Sequence, residues 1–516
     1  MSQSSHRVAT NTALLYLRTV LNIGVQIVAT RVLLRSLGVV DFGIFSVVAG
    51  VVVLLSFLNA AMTSATQRFL SFHQGRDDLP AQQRVFAASI CLHLLLAVAV
   101  VLLLLAFSGV VVQHVLHIPV ARMEAARFAF VCMSLAVFST IVVVPFTASI
   151  NAHEDMMTIL TVGITEILLK LVAAFSILWF EADHLKVYAC GMAAVAFITN
   201  GQCLVHAIRK YPECVFRSVL RPTTQDLKEI GSFAGWNLFG TLSHLGRVQG
   251  LAVILNVFFG PAMNAAYGVA NQVTGQMNMF SSMMMRAINP QIMKSEGGRD
   301  RDRMLDLSVR ASKFGLLLLG AVAVPLMFEM PSLLRLWLGH APVETAMFCN
   351  LLLVGLMINQ STTGLQSAVQ ATGDIKRYEI EVGGILLLNL PIAYVMLRLG
   401  APYYTILISY VGVELAAGLL KLRFALRLAG LRPAAFAANV YGKAMLPIAA
   451  TALSGATMSG LLRPEGFWGM LLSLACMECV YLTSTYFLAL ARDERAWMNG
   501  FLRQLLGRAR REKAIA

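Results

Sequence analysis

Long apolar runs separated by short polar breaks recur from one end of the chain to the other. Each run has about 20 residues or more, the length that an α-helix needs to cross a bilayer. The pattern therefore predicts fourteen transmembrane helices. Their approximate spans are 11–34, 42–66, 85–111, 124–150, 156–180, 185–208, 231–257, 262–286, 307–330, 345–371, 378–398, 402–425, 439–460 and 466–490.

Composition supports an all-α integral membrane protein. The 516 residues are 58% hydrophobic and only 13% charged, whereas about a quarter of the residues of a soluble globular protein are charged. The N-terminal segment MSQSSHRVATNT carries a single arginine, and no small-residue cleavage site follows the first apolar run, so we expect that run to be retained. The short breaks leave no room for a soluble catalytic domain, and an enzyme is not expected.

The net charge of +14 is distributed unevenly among the polar breaks. If the N-terminus is cytoplasmic, the inner segments carry most of the 41 Lys and Arg residues, as the positive-inside rule requires. The richest of them are 209–228, 286–313 and the tail ending GRARREK. We therefore expect both termini to be cytoplasmic, and we interpret the basic segments as contacts to anionic lipid headgroups rather than to nucleic acid.

A basic, proline-containing break divides six predicted spans from eight. We interpret residues 209–230 as the linker between an N-terminal lobe, 1–208, and a second six-helix lobe, 231–430. The last two spans occupy 431–490, and a basic cytoplasmic tail follows at 491–516. Transporters are often built from such structural repeats, with the substrate site at the repeat interface.

A weak internal repeat agrees with this division. The segment LGVVDFGIFSVVAGV (37–51) aligns with FGPAMNAAYGVANQV (259–273), which places Gly38 over Gly260 and Phe45 over Tyr267. Spans one and two are therefore predicted to correspond to spans seven and eight.

Those four spans carry polar side chains at helical spacing on otherwise apolar helices. Such stripes are explained either by hydrogen bonds between neighbouring helices or by a water-filled cavity between the lobes. We favour the cavity because four stripes fall on corresponding spans. The predicted substrate-binding residues are Arg18, Asn22, Gln26, Arg31, Asn59, Thr63, His244, Arg247, Asn271 and Gln272.

The predicted cavity is electropositive, because the four spans contain arginines and neither Asp nor Glu. A charge near the bilayer centre costs roughly 2.5 to 3.5 kcal/mol and marks a transport pathway. Arginine binds phosphate through its planar fork of donors, so an anionic, phosphate-bearing substrate is expected. Two alternatives remain open: Arg31 could extend to the outer interface, and His244 could be a structural histidine.

Carboxylates in other spans have different interpretations. Glu166 and Lys170 are one helical turn apart and are expected to neutralise each other. Glu414 and Glu478 could each pair with a base or hold a coupling cation.

Residues 33–70, LLRSLGVVDFGIFSVVAGVVVLLSFLNAAMTSATQRFL, follow a recognisable order: an arginine-bearing helix, a short outer turn and a helix that ends in a small polar segment. The matching positions are Leu37, Gly38, Asp41, Phe42, Gly43 and Ser64 to Phe69, and ATGDIKRY (371–378) is similar to an inner loop after the tenth span. In these features the chain resembles Wzx-type polysaccharide or O-antigen flippases of the multidrug/oligosaccharidyl-lipid/polysaccharide (MOP) exporter superfamily.

The resemblance implies two six-helix lobes in a MATE-like V, two extra C-terminal helices and a place in the bacterial inner membrane. It implies a flippase that moves undecaprenyl-pyrophosphate-linked oligosaccharide to the outer leaflet by alternating access, for lipopolysaccharide, capsule or exopolysaccharide. It further implies coupling to a proton or sodium gradient, no cofactor, and polysaccharide-assembly proteins as partners.

Three alternatives stay open. The substrate of a lipid II flippase also carries a pyrophosphate, so only substrate assays distinguish this alternative. A cation-coupled multidrug exporter of the same fold needs acidic residues in the cavity helices, where the sequence has none. A polysaccharide polymerase or ligase normally places reactive groups in a large outer loop, and the predicted outer loops are short. An ATPase is not expected because the chain lacks GxxxxGK[ST].

Overall fold

The computed structural model describes residues 32–33, 36–38, 40–45, 48, 56–110, 120–214, 222–339, 342–459, 466–496 and 499–500. Within these ranges the chain is almost entirely α-helical. The main helices are α1 (Ser56–Gly75), α2 (Leu79–Val110), α3 (Met123–Val142), α4 (Val144–Ala152), α5 (Met156–Ser176), α6 (His184–Lys210), α7 (Thr224–Phe259), α8 (Pro261–Gly297), α9 (Arg301–Leu338), α10 (Thr345–Ser361), α11 (Thr363–Thr372), α12 (Lys376–Arg398), α13 (Thr405–Phe424), α14 (Pro433–Asn439), α15 (Tyr441–Thr457) and α16 (Gly466–Ser484).

The described helices make this a multi-pass membrane protein. Nine spans in the described ranges are long and apolar enough to cross a bilayer, or up to ten if α10 and α11, which are bent by 41°, form one span. Most of the predicted span 11–34 and residues 46–47 and 49–55 of the span 42–66 lie outside the described residues. Each remaining predicted span coincides with one described helix or with two consecutive ones. The all-α membrane class is confirmed, and the count of fourteen stays a prediction.

Side-chain caps set where several helices begin. Asp155, Asp183, Thr223 and Asp300 each accept a hydrogen bond from a backbone N–H in the first turn of α5, α6, α7 and α9 respectively, which satisfies donors that have no partner inside the helix. Because Thr223 caps α7, this helix begins at Thr224, earlier than the predicted residue 231. The connection between α6 and α7 is therefore shorter than the predicted linker, 209–230.

Successive long helices alternate in direction, so their turns gather at two ends. We call one of them the basic end, because it holds the turns 76–78, 153–155, 298–300 and 373–375 and the connection that follows α6. Residues 209–214, 222–228 and 286–300, which belong to two of the segments predicted to be richest in Lys and Arg, lie there. We call the other the opposite end.

Apolar side chains pack in several clusters, and one of them joins the halves because it contains both Phe146 of α4 and Phe233 of α7. Phe130 and Tyr188 belong to a cluster between α3 and α6 in the first half, and Phe348 and Tyr410 belong to one in the second half. Helix α1 packs against α7 and α8 and so connects the halves, while α15 and α16 pack against α9. Many large apolar side chains, such as that of Trp468, remain exposed on the outside, as a hydrocarbon environment permits.

The structure bears out the internal repeat. Gly38 and Gly260, aligned by sequence, both adopt a positive φ, of 74° and 78°, a conformation that glycine reaches without steric cost. At the same separation along the chain, Asp77 and Arg299 also have positive φ, of 55° and 62°.

The next residues of the repeat match as well. Asp78 Oδ1 accepts a hydrogen bond from the Ala81 N–H at 3.0 Å, and Asp300 Oδ1 accepts one from the Arg303 N–H at 3.1 Å. The turn that follows α1 is therefore repeated, cap included, by the turn that follows α8.

At the opposite end, an arginine joins the DFG-like turn to the rest of the first half. Arg122 donates to Asp41 Oδ1 and Oδ2 at 2.7 and 2.6 Å and to Asp183 Oδ2 at 2.6 Å. Burial would raise the pKa of the Asp183 carboxyl, but the hydrogen bond and charge of Arg122, together with hydrogen bonds from the backbone N–H groups of Lys186 and Leu185, hold this pKa below its ordinary value. The motif carrying Asp41 thus has a structural role in holding three connections together.

Candidate functional site

A cavity of about 800 Å³ lies between the two halves. Helices α1 and α3 to α6 form most of its wall, and α8 and α11 of the second half complete it. Threonine and asparagine side chains line it beside apolar ones; the polar set is Thr63, Thr140, Thr147, Asn151, Thr158, Thr199, Asn200 and Asn289. A cavity of this size and mixed lining suits a ligand with many hydroxyl groups.

Arg68, near the C-terminal end of α1, forms part of the cavity wall. Its side chain is only 6% exposed. The guanidinium stacks over Phe69 and Phe72, with its central carbon 4.5 and 4.7 Å from the ring centroids, and Nη2 donates to the carbonyl of Ala371 at 2.9 Å. Arg68 therefore joins the first half of the chain to α11 of the second half.

The charge of Arg68 is not neutralised by any described carboxylate. Glu229 and Glu296 act on it only through space, without an ion pair, and its Nε has no hydrogen-bond partner among the described groups. A buried charge without a counterion is costly, and such residues are typical of ligand sites. Arg68 is thus suited to an anion that enters the cavity.

A pair of opposite charges on α5 also belongs to the cavity wall. Lys170 Nζ donates to Glu166 Oε1 at 2.7 Å, which confirms the predicted neutralisation across one helical turn. Both residues line the cavity. Because their charges cancel, the arginines determine the net charge of the described lining.

Arg286 and Asn289 extend from α8 into the same cavity. The Ser367 hydroxyl of α11 donates to Asn289 Oδ1 at 2.8 Å, so the amide is oriented before any ligand binds. With Arg68 and Arg286, the described wall has a positive excess, because its one carboxylate, Glu166, is paired with Lys170.

The cavity contains few of the residues that the polar stripes predicted. Thr63 lines it. Asn59 lies in α1, but its side chain is outside the described part. Arg18, Asn22, Gln26 and Arg31 also fall outside the described residues, so their roles stay predictions.

Arg247 was predicted to face the cavity as an unpaired cation, but it lies outside the described lining and forms an ion pair. Its side chain is 0% exposed, and Nη2 donates to Glu414 Oε1 at 2.5 Å. The guanidinium also stacks over Tyr410 at 4.4 Å, and Asn359 donates to the second oxygen of Glu414 at 3.2 Å. The prediction counted carboxylates only on spans one, two, seven and eight, and the partner comes from α13.

The remaining predicted residues lie in the second half, away from the cavity wall. His244 is one turn before Arg247, with Nδ1 3.5 Å from Nη2 of that arginine. Asn271 donates to the Tyr267 carbonyl one turn earlier at 3.0 Å, and Gln272 is exposed on α8. None of the three is in the described lining.

Sequence reasoning missed Arg68 as a site residue because the residue was assigned to an inner polar break. A signal was present: Arg68 lies within the segment Ser64 to Phe69 that carries the family resemblance, and Thr63 and Gln67 precede it on the polar face of the same helix. Arg68 is buried by contacts with Phe72, Phe233 and Ala371, and these contacts depend on the tertiary structure.

Polar contacts cross between the halves at the basic end. Glu154, in the turn after α4, accepts hydrogen bonds from Gln291 at 3.0 Å and Lys294 at 3.2 Å on α8. Arg76 Nε donates to the Gly297 carbonyl at 3.3 Å. These contacts, with the bond from Arg68 to Ala371, hold the two halves together below the cavity.

The turn that presents Glu154 is itself braced by ionic contacts. The next residue, Asp155, accepts from Tyr211 at 2.8 Å and from Lys210. Burial opposes ionisation of Asp155, but these hydrogen bonds lower the pKa of its carboxyl well below the ordinary value. Asp155 is therefore charged at neutral pH and keeps its contacts with Lys210 and Tyr211.

Among the described residues, no group of three or more His, Cys, Asp or Glu side chains is arranged to hold a metal ion.

Solved structures with the same fold are MATE transporters. No protein-family model and no curated protein matches the chain. A MATE in the bent conformation superposes with a TM-score of 0.70 at 14% identity, over 83% of this chain and 98% of that one. An outward-facing multidrug resistance MATE family transporter of the MOP superfamily gives 0.66 at 14% identity, over 83% and 99%.

A third similar structure is a MOP superfamily transporter from Pyrococcus furiosus, for which the reverse polarity of the binding pocket suggests a different function. It gives a TM-score of 0.64 at 14% identity, over 83% of this chain and 99% of that one. At these identities the likeness shows the fold alone, and the predicted MATE-like fold is confirmed.

Proposed function

We propose that this chain is a flippase that moves undecaprenyl-pyrophosphate-linked oligosaccharide across the bacterial inner membrane by alternating access, for the synthesis of cell-surface polysaccharide. The MATE-like fold supports transport through a cavity between two halves. The observation that carries the choice of substrate is Arg68, a buried arginine in the cavity wall with no carboxylate partner in the described chain.

The headgroup of such a lipid has two parts, and the cavity offers a matching chemistry for each. Arg68 and Arg286 bind the negatively charged phosphates, because arginine presents a rigid fork of donors to phosphate oxygens. Thr140, Asn151 and Asn200 bind sugar hydroxyls through side chains that both donate and accept. The lipid tail stays in the bilayer beside the helices.

The basic end is the cytoplasmic end in this proposal, because inner segments carry the excess of Lys and Arg. The contacts at that end, including Glu154 with Lys294, then represent a conformation closed toward the cytoplasm. Alternating access requires these contacts to break so that the substrate enters from the inner leaflet.

Arg247 enters this mechanism differently from Arg68. As long as Glu414 pairs with it, its charge is neutralised inside the second half. Binding of a diphosphate by Arg247 would require that pair to separate, so we assign the phosphate contacts of this conformation to Arg68 and Arg286.

A multidrug exporter is the second candidate, because Glu166 places a carboxylate in the cavity wall and a similar structure is a multidrug resistance transporter. The Lys170 ammonium 2.7 Å away neutralises that carboxylate, which disfavours a cationic drug. A lipid II flippase requires the same phosphate chemistry, and its substrate alone separates it.

Translocation in proteoliposomes tests the proposal. The full chain is reconstituted with a fluorescent undecaprenyl-pyrophosphate oligosaccharide, and the outward fraction is measured for wild type, Arg68→Gln and the matched surface control Arg432→Gln. We expect flipping by wild type and the control and a loss of about tenfold or more for Arg68→Gln, since charge-assisted bonds contribute roughly 1.5 to 3 kcal/mol.

Two results would contradict the proposal. Flipping by Arg68→Gln at the wild-type rate would remove the assigned role of this arginine. Transport of a cationic dye, or of lipid II alone, in place of the oligosaccharide lipid would assign the cavity to one of the other two transporters.

A further inference from the structure

A second, open groove of about 610 Å³ lies at the basic end, beside the cavity. We call it the basic-end groove. It is bounded by the end of α1, the first three turns of α7 and the turn from α11 into α12. Its lining includes Gln225, Lys228, Glu229, Ser232, Trp236, Asp374 and Lys376.

Arg68 belongs to both spaces, because it lines the cavity and the basic-end groove. A Cβ added to Gly373 would lie 2.5 Å from Nη2 of this arginine. The guanidinium is thus packed against the glycine of the turn that borders the groove. Its Nε is buried and has no hydrogen-bond partner among the described groups, so the charge of Arg68 at the border of the groove is only partly satisfied by the protein.

Further groups of the groove attract an anion. Lys228 extends from α7, and Lys376 lies at the first position of α12 with its ammonium 5.3 Å from the Trp236 ring centroid. No side chain caps the N-terminus of α12, so its first backbone N–H groups are available to phosphate oxygens. Three cationic side chains and a helix N-terminus therefore face one groove.

Two carboxylates lower the net positive charge of the groove and disfavour some anions as ligands. Glu229 and Asp374 also line the groove, and they repel a small, multiply charged anion. They can accept hydrogen bonds from sugar hydroxyls, with Gln225 and Ser232 as further polar groups. Trp236 supplies an aromatic surface beside them, of the kind that lies at the membrane interface.

We propose that the basic-end groove is a binding site for a phosphate-linked sugar headgroup at the membrane interface, occupied before the headgroup enters the cavity. The phosphate contacts Lys228, Lys376 and the N-terminus of α12, and the sugar contacts Glu229 and Asp374. Arg68 then contacts the same phosphate from the cavity side. This inference rests on the proposed function and adds a place where the substrate first binds.

Thiol protection at the groove tests the inference. Ser232, exposed in the groove, is changed to cysteine in a full-length chain whose eight native cysteines are replaced by alanine or serine, and transport is first shown to persist. The rate of reaction with a charged maleimide is then measured with farnesyl diphosphate bearing one N-acetylglucosamine, farnesyl diphosphate alone, or inorganic pyrophosphate.

We expect the sugar-bearing probe to slow labelling about tenfold at a concentration where the other two have a smaller effect. Adding Lys228→Gln with Lys376→Gln is expected to abolish this protection, adding Lys228→Arg with Lys376→Arg to retain it, and adding Arg432→Gln to leave it unchanged. Retention with arginine identifies charge, rather than the lysine stems, as the cause.

The outcomes separate this inference from the proposed function. Absence of protection in a chain that still flips the oligosaccharide lipid would overturn the groove and leave the flippase. Equal protection by inorganic pyrophosphate would overturn it in favour of a site for free phosphate. Protection of the Ser232→Cys chain by the sugar-bearing probe, when this chain and wild type transport lipid II or a cationic dye but not the oligosaccharide lipid, would support the groove and contradict the flippase.

Discussion

Gly75 and Gly297 occupy equivalent positions of the internal repeat, and each packs against the backbone of the other's helix. A Cβ added to Gly75 would lie 2.0 Å from the carbonyl oxygen of Lys294, and one added to Gly297 would lie 1.9 Å from that of Phe72. Phe72 and Lys294 are themselves equivalent in the repeat, so the contact between α1 and α8 is reciprocal. Only glycine permits backbones to approach so closely.

This reciprocal contact makes Gly75→Ala and Gly297→Ala a test of closure at the basic end. The added methyl group has no space while the carbonyl stays in place, so the two halves are expected to separate at this end. Transport should fall by about tenfold or more, and a cysteine placed at Asn289 should react faster with a reagent supplied from the basic end.

The matched control is Gly384→Ala on α12, where an added Cβ meets no atom within 4 Å. In an open helical position this change is expected to be neutral or to stabilise by up to about 1 kcal/mol. Normal transport and unchanged labelling in Gly75→Ala would mean that the halves do not need this contact.

The buried pair of Arg247 and Glu414 predicts a strong, conditional effect on stability. Arg247→Met leaves the 2% exposed Glu414 side chain without its counterion. Removing one member of a buried pair costs about 3 to 5 kcal/mol, whereas replacing both by apolar residues is often nearly neutral. We therefore expect a marked fall in the thermal unfolding temperature for Arg247→Met and substantial recovery for Arg247→Met with Glu414→Leu.

Thermal unfolding of the purified chain in detergent measures this effect, with Arg432→Met as the surface control. A single and a double variant of equal stability would show that Glu414 does not require Arg247. Transport by a stable double variant would in addition show that the pair is structural rather than part of the cycle.

The contacts of Arg122 at the opposite end should make the stability of the folded chain depend on pH. The pKa of the Asp183 carboxyl is lowered in the folded chain, so its contribution to stability is present above the ordinary aspartate pKa of about 3.9 and is lost as pH falls through the lowered value. Arg122→Gln should remove the part of this contribution that Arg122 makes and leave the part made by the backbone N–H groups of Leu185 and Lys186. The variant is therefore expected to lose less stability than wild type when the pH falls below about 4.

Thermal unfolding temperatures across this pH range, compared between Arg122→Gln and wild type, measure the difference. Because the Arg122 side chain is 28% exposed, solvent screens its ion pair with Asp183. The Arg122→Gln variant should therefore lose about 1 kcal/mol of stability at neutral pH. Parallel curves for the two proteins would contradict the assignment to Asp183.

Glu154 and Lys294 predict a charge-reversal rescue between the halves. Lys294→Glu places two carboxylates where the structure has a bond of 3.2 Å, so repulsion should favour separation of the basic end and reduce transport. Glu154→Lys combined with Lys294→Glu restores opposite charges and should recover part of the activity. The measurement is the flipping rate of both variants, with Arg432→Glu at an exposed position outside this contact as the comparison for a single reversal. Failure of the double variant to exceed Lys294→Glu would contradict a latch between these residues.

The local pattern of the sequence was sufficient for the helices, the membrane and the repeat. Hydropathy reports the environment of each helix separately, which is why the apolar runs anticipated α2 to α13, α15 and α16. The pairing of Glu166 with Lys170, one turn apart, could be predicted for the same reason. The correspondence of Gly38 with Gly260 was also readable, because a turn with positive φ needs the same residue in both copies.

Only the tertiary structure decided which charges are free. From the sequence, Arg247 was assigned to the cavity and Arg68 to a polar break, yet Arg68 meets aromatic rings and a carbonyl in the cavity wall while Arg247 pairs with Glu414. That difference depends on partners 303 and 167 residues away along the chain, and periodicity within a helix contains no information about such partners. The sequence therefore determined that arginines would be buried in this membrane protein, and packing between helices determined which of them keeps a charge for a ligand.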